Sequence, residues 1–314
     1  MIYEYALEPE LVATWTDRRD YRYFMRSFGL GQGRVVSRYP KRWKRLVWNA
    51  FADTDDFARK RLEELLNRLS ERMVQRSNIH WEADSASWLE NAEREHERRP
   101  FHAIVARTNP KNHAHVLTES GMDEDSAARW EVSRGRLVAR NAEAMADAVA
   151  PLLRCSSDVI FVDPNFGPER SRFRRPFEAF LERMVRQRPG GTPKRIEVHT
   201  AAEGTGTEEF FRGECETRLR RCVPEGMRVL IRRLNQKPGG EKLHNRYILT
   251  NLGGVTFGIG LDDGADGETD DITLMDRSQY ELRWSQYSED PPAGFDQDGT
   301  PIEVVGTRKL AAPS

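Results

Sequence analysis

His244 and Arg246 stand two residues apart in Lys242-Leu243-His244-Asn245-Arg246, with the apolar run Tyr247-Ile248-Leu249 directly behind them. In a strand, residues i and i+2 point to one face, so the imidazole and the guanidinium project together, with Asn245 and Tyr247 on the other side. That pair suits attack on a phosphodiester. An imidazole can bond covalently to phosphorus, and a guanidinium can hold the non-bridging oxygens and offset developing charge. A glycine-rich stretch follows, with glycines at 253, 254, 258 and 260, and ends in Leu261-Asp262-Asp263. Such glycines let backbone or ligand approach closely, so a concave pocket is expected around His244 and Arg246.

A sheet has to position these residues. Apolar runs predict strands at Asp158–Val162, Arg195–His199, Met227–Arg232, His244–Thr250 and Val255–Ile259, the last two forming a hairpin through Gly253-Gly254. Helical spacing is read at Arg174–Arg188 and Thr207–Cys222, and Ala127–Arg154 is helical in composition, bridging the two halves. Strands alternating with crossover helices give an α/β class with a mixed sheet. Ligands gather at the carboxyl ends of such strands, where Asp163 and His199 fall. His244 lies near the start of its own strand and meets them only if that strand runs antiparallel to theirs. The polar segment from Ser285 onward includes a possible edge strand at Ile302–Val305 and a frayed end at Lys309–Ser314.

The stretch resembles the phospholipase D superfamily, whose motif is His-x-Lys, four residues, Asp, six residues, Gly-Ser-x-Asn. In register, the histidine falls on His244, the lysine on Arg246, the aspartate on Asn251 and the glycine on Gly258, while Ile259 and Leu261 occupy the serine and asparagine positions. It is more similar to the phospholipase-D-like domain at the C-terminus of eukaryotic MIT-domain proteins. That domain also carries His-x-Arg, a Gly-x-Gly-Leu-Asp segment like Gly258 to Asp262, and an upstream strand ending in Asp-Pro-aromatic, like Val162-Asp163-Pro164-Asn165-Phe166. The resemblance covers roughly Leu152 to Trp284. It implies a mixed-sheet phospholipase D-like sandwich. It also implies catalytic roles for His244, Arg246 and Asn251, binding roles for Asp163, Gly258 and Asp262, and no metal or cofactor. Catalysis in this superfamily uses two histidines about a pseudo-two-fold axis. The second is expected either from another copy of His244 in a homodimer or from His199, whose plainer reading is a strand-end histidine bonded to a backbone carbonyl.

The chain has 314 residues, enough for one large or two ordinary domains. We divide it at 1–140, a smaller α+β domain, and 141–314. Charged residues make up 32% and the net charge is only −1, so no global field steers it toward nucleic acid. Locally, Arg34, Arg38, Lys41, Arg42, Lys44 and Arg45 form a run without acids. Four arginines fall between Glu169 and Arg175, and acids cluster from Asp262 to Asp276. Cys155, Cys215 and Cys222 lack metal-ligand spacing and suit reduced thiols. No leader or membrane-spanning run is read, which gives an expected cytoplasmic location.

Residues 1–50 mix aromatic and basic side chains, so Arg34, Arg38 and Lys41 are candidate phosphate contacts; a small core with a solvated basic rim is the plainer reading. The segment Gly29 to Arg34 lacks a phosphate-loop pattern and reads as a turn before a short strand at Val35-Val36. Helices are expected at Asp53–Arg76 and Ala83–Arg98, and a strand at Phe101–Arg107. His113 and His115 show no third metal ligand nearby and read as loop or strand histidines.

Two functional expectations follow. One is a metal-independent phosphodiesterase, a nuclease acting on DNA or RNA in a prokaryotic nucleic-acid-processing or anti-phage defence system, as a homodimer or with a partner protein. The alternative is a catalytically degenerate module that binds a phosphate-bearing ligand or a protein partner.

Overall fold

The computed structural model describes residues 1–53, 55–71, 73–83, 85–122 and 129–310. They form two compact units: residues 2–134 with 187–191, and residues 135–186 with the chain from 192 onward.

The first unit is built on five strands: β1 (Tyr3–Leu7), β2 (Arg34–Arg38), β3 (Met73–Gln75), β4 (Ala103–Val105) and β5 (Val116–Leu117). Their order is β3-β2-β1-β4-β5 and every pair is parallel. Helices α1 (Pro9–Val12), α2 (Arg18–Ser27), α3 (Trp43–Ala50), α4 (Asp56–Ser70), α5 (Trp88–Arg98) and α6 (Glu119–Met122) fall between and after the strands. The arrangement is therefore parallel α/β, not the α+β expected. All of β1 is buried, as a central parallel strand requires. Asp17 caps α2 and Asp55 caps α4, and Ser87 with Glu90 forms a capping box on α5. The helix expected over Asp53–Arg76 stops at Ser70 and gives way to β3, with Arg72 outside the described residues. The helix expected from Ala83 begins at Trp88, and Asp84 is likewise undescribed. Buried Arg76 pairs with Glu4 at 2.7 Å and Glu95 at 3.0 Å, placing a charge network beneath the sheet.

The second unit carries an eight-stranded sheet. Its elements are β6 (Gly135–Ala139), α7 (Ala142–Cys155), β7 (Asp158–Val162), α8 (Ser171–Val185), β8 (Arg195–Ala201), α9 (Glu208–Thr217), β9 (Arg228–Gln236), β10 (Arg246–Thr250), β11 (Gly253–Phe257), β12 (Thr269–Leu274), α10 (Arg277–Tyr287) and β13 (Phe295–Val305). The order is β13-β9-β8-β7-β10-β11-β12-β6. Strands β7, β8 and β9 are mutually parallel, and the other ladders are antiparallel. All five strands expected here share this one mixed sheet. Phe161 of β7 packs on Phe177 and Phe180 of α8, with ring centroids at 5.4 and 5.7 Å. Helix α10 covers the opposite face: the Tyr280 hydroxyl donates to the Thr250 carbonyl at 2.7 Å, and Tyr287 lies beside His199 and Tyr247.

Two expectations need correction. Within Ala127–Arg154, Gly135–Ala139 is edge strand β6, and the helix begins only at Ala142; residues 127 and 128 are undescribed. The helix over Thr207–Cys222 ends at Thr217 and continues as a short 3-10 turn at Leu219–Arg221. Of the expected frayed end, residues 311–314 lie outside the described residues. Among the described residues, no helix is long and apolar enough to cross a membrane.

Candidate functional site

Strand β10 runs antiparallel to β7, and this decides which side chains meet. Tyr247 pairs with Val162, and Val162 with His199. Arg246 therefore comes into line with Asp163, one residue past the end of β7. Alternation puts Arg246 and Asp163 on the α8 side of the sheet, and Tyr247 and His199 on the α10 side.

Asp163 is 1% exposed. Its carboxylate accepts the backbone N–H of Asn165 at 2.9 Å and of Leu261 at 2.9 Å. Burial pushes its pKa up, and the two amides and the charge of Arg246 oppose that shift. Behind it lies a closed space of only about 10 Å³ lined by Phe161, Phe166, Phe173 and Phe177. Asp163 thus clamps the glycine segment to the end of β7. Arg246 donates from Nη1 to the His244 carbonyl at 2.7 Å, and its Nε is buried without a hydrogen-bond partner. Among the described residues Arg246 closes no ion pair.

His244 is exposed and lies two residues ahead of β10, outside the ladder. Its Nδ1 sits 3.0 Å from the Lys242 carbonyl oxygen. A carbonyl can only accept, so Nδ1 carries the proton. In the neutral ring, Nε2 then holds the free lone pair.

His199 is a different object. It is 0% exposed, and its Nε2 lies 2.7 Å from Glu197 Oε2. Glu197 also accepts from Arg195 at 2.7 Å and Arg232 at 3.0 Å. Burial opposes ionisation of Glu197, but the hydrogen bonds from His199, Arg195 and Arg232 outweigh it and hold the carboxyl well below its usual range. Burial also lowers the His199 pKa, against the opposing pull of Glu197. The expectation that His199 serves as a partner for the exposed His244 fails, because His199 is fully buried with its Nε2 held by Glu197. The remaining five histidines belong to the first unit, so this unit offers His244 no second imidazole.

Asn251 is also misplaced by the motif register. It lies past the far end of β10, where its Oδ1 accepts the amides of Ser157 and Asp158 at 2.8 and 3.1 Å. Five residues of strand separate it from Arg246, about 16 Å at the usual rise. Gly258 and Gly260 are required by crowding. A Cβ on Gly258 would lie 2.8 Å from Asp270 Oδ1, and one on Gly260 would collide with Asp262 Oδ1. Asp262 is 6% exposed and paired with Arg140 at 2.7 Å and Arg172 at 3.4 Å; Asp263 pairs with Arg175 at 2.8 Å. These acids are neutralised structural partners. The opposed runs at 169–175 and 262–276 carry the signal for Arg172 and Arg175, whereas nothing local marks Arg140. Among the described residues, no group of three His, Cys, Asp or Glu could hold a metal.

In the first unit, Arg38, Lys41, Arg42, Lys44 and Arg45 are exposed and close no ion pair among the described residues. Arg34 differs: its guanidinium donates to the carbonyls of Ser27 and Trp130 and lies 4.5 Å from the Trp130 ring centroid. It is a structural residue, not a free phosphate contact.

No family model and no curated protein matches the chain. Among solved structures, the archaeal chromatin protein TrmBL2, described as showing a novel mode of DNA binding, aligns with a TM-score of 0.26 and 10% identity. The alignment covers 57% of this chain and 59% of that one, so the chain spans about three-fifths of that structure's length.

Proposed function

We propose that the second unit is a phospholipase D-like module in which Arg246 binds a phosphodiester and His244 attacks it. The observation that supports this reading is the bond between His244 Nδ1 and the Lys242 carbonyl. It leaves the lone pair of Nε2 free on an exposed ring, two residues from a guanidinium that closes no ion pair among the described residues. Attack by Nε2 forms the N–P bond and expels the leaving oxygen, which needs a proton. Because His199 is fully buried and held by Glu197, the reading takes that proton from the His244 of a second copy of the chain. Water then cleaves the phosphohistidine.

A second reading, binding without turnover, is favoured by one specific feature. The Ile259 amide donates to Asp270 at 3.1 Å and the Leu261 amide to Asp163 at 2.9 Å. The glycine segment therefore spends these donors on its own carboxylates.

Incubation with labelled single-stranded DNA and RNA in EDTA, beside His244→Ala, separates the two. Metal-independent cleavage lost in the variant, with an acid-labile phosphate adduct on His244, supports catalysis. Binding that weakens in Arg246→Ala without any cleavage supports the module. Cleavage that survives His244→Ala overturns the first reading.

A further inference from the structure

A second set of groups converges within the first unit. Arg19, Arg22 and Arg26 of α2 are exposed and close no ion pair among the described residues. Tyr23 stands among them, 40% exposed. Its ring is nevertheless fixed. The hydroxyl accepts the Trp130 Nε1–H at 2.8 Å, and Phe24 meets the ring edge-on at 5.0 Å. The ring lies along Trp130 with centroids 6.3 Å apart and planes 23° from parallel. Trp130 itself is 4% exposed and covered by Arg34, so Tyr23 is the ring open to a ligand.

Two hollows flank that ring. One, of about 500 Å³, is lined by Arg22, Arg26, Arg34 and Gln32, with Glu131 at its wall. The other, of about 290 Å³, is lined by Arg19, Asp20 and Glu119. Glu119 spends Oε1 on the Trp15 indole N–H at 3.0 Å, which leaves Oε2 to accept. A fixed, exposed aromatic face between a hollow dominated by arginines and one that holds two carboxylates beside Arg19 fits one kind of ligand. It is planar, anionic at one end and an amine donor at the other. A hollow of the larger one's size suits a small ligand.

We propose that this groove binds a nucleotide unit, with the base stacked on Tyr23, the phosphate on Arg22 and Arg26, and an exocyclic amine on Asp20 and Glu119. Every base offers a π-face for stacking, arginine is the natural phosphate partner, and acid side chains accept from amino bases such as cytosine. The site uses only residues of the first unit and stands independently of the His244 reading, so His244→Ala leaves it unchanged.

The test is fluorescence anisotropy of a labelled twelve-nucleotide deoxycytidine strand on the full chain, with cytidine monophosphate as competitor. Tyr23→Leu is expected to weaken binding about tenfold or more. Arg22→Ala with Arg26→Ala is expected to lower the slope of log affinity against log salt by about 0.7, the value for the one single-strand phosphate that the pair holds. A deoxythymidine strand, lacking the amine, should bind more weakly. Competition by the monophosphate at low concentration would identify a free nucleotide as the ligand, and its failure would identify a strand; both support the site. Parental affinity and salt slope in the arginine pair, whose exposed side chains close no ion pair among the described residues, would overturn the proposal even if Tyr23→Leu unfolds. Equal affinity for the two strands would overturn the amine contact.

Discussion

The Asp163 carboxylate and the Leu261 amide, 98 residues apart in the chain, are joined by a hydrogen bond of 2.9 Å. Through it the end of β7 holds the glycine segment in place. Asp163→Ala would leave the buried Leu261 N–H unpaired and is expected to destabilise the second unit by about 1–3 kcal/mol in chemical denaturation. Asp163→Asn keeps a carbonyl acceptor and should lose less. A change within about 0.5 kcal/mol for the alanine variant, as for ordinary surface substitutions, would show that the clamp is dispensable.

Arg246 and His244 should separate binding from chemistry. Arg246→Lys retains a charge but loses the planar fork, so partial activity is expected, with most of the loss in KM. His244→Ala should abolish turnover and leave phosphate binding nearly intact. Steady-state kinetics on an oligonucleotide checks both; equal loss of kcat in the two variants would contradict this division of labour.

The basic segment should bind polyanions through charge alone. Removing Lys41 and Arg42 together is expected to weaken binding to a DNA duplex at low salt and to flatten its salt dependence by about 1.8 in logarithmic slope, if each meets one phosphate. Titration at several salt concentrations reads this directly. The same change in Arg34→Ala would contradict its assignment as a structural residue.

His96 gives the first unit a pH dependence. Burial, with the neighbouring His115 and Arg129, lowers its pKa from 6.5 to about 4. The native state thus binds a proton less readily than the unfolded chain does. Its contribution to stability is whole above about pH 6.5 and is lost as pH falls toward 4. The melting temperature should drop across that window. His96→Gln should flatten the drop, and an unchanged slope would place the titration elsewhere.

The sequence exposed most of the second sheet, because β7, β8, β9 and β10 are apolar runs that bury on assembly. It hid three elements for physical reasons. Helix α10 buries only Tyr280 and Tyr287, seven residues apart, and so shows no apolar stripe. Strand β6 lies at the sheet edge with little buried surface. In β12 an acid, Asp270, fills a core position beside Ile272 and Leu274, where it accepts the Ile259 amide, so the strand reads as part of an acidic cluster. The candidate site was legible in part. Arg246 takes its face from strand alternation, but β10 begins only there, so alternation does not reach His244; the motif register carried Asn251 to the wrong end of β10, and nothing local in His199 announces which face of a sheet it will occupy.

Arg246 belongs to the β10 ladder, whereas His244 is tethered ahead of it by one carbonyl contact. On the reading proposed above, the anchor for an anion would be built into the sheet, and the attacking imidazole would hang from a connecting segment. A shortened or lengthened Lys237–Leu243 connection would retune the reach and angle of attack while sparing recognition, so reactivity in this architecture can be gained or lost without rebuilding the binding surface.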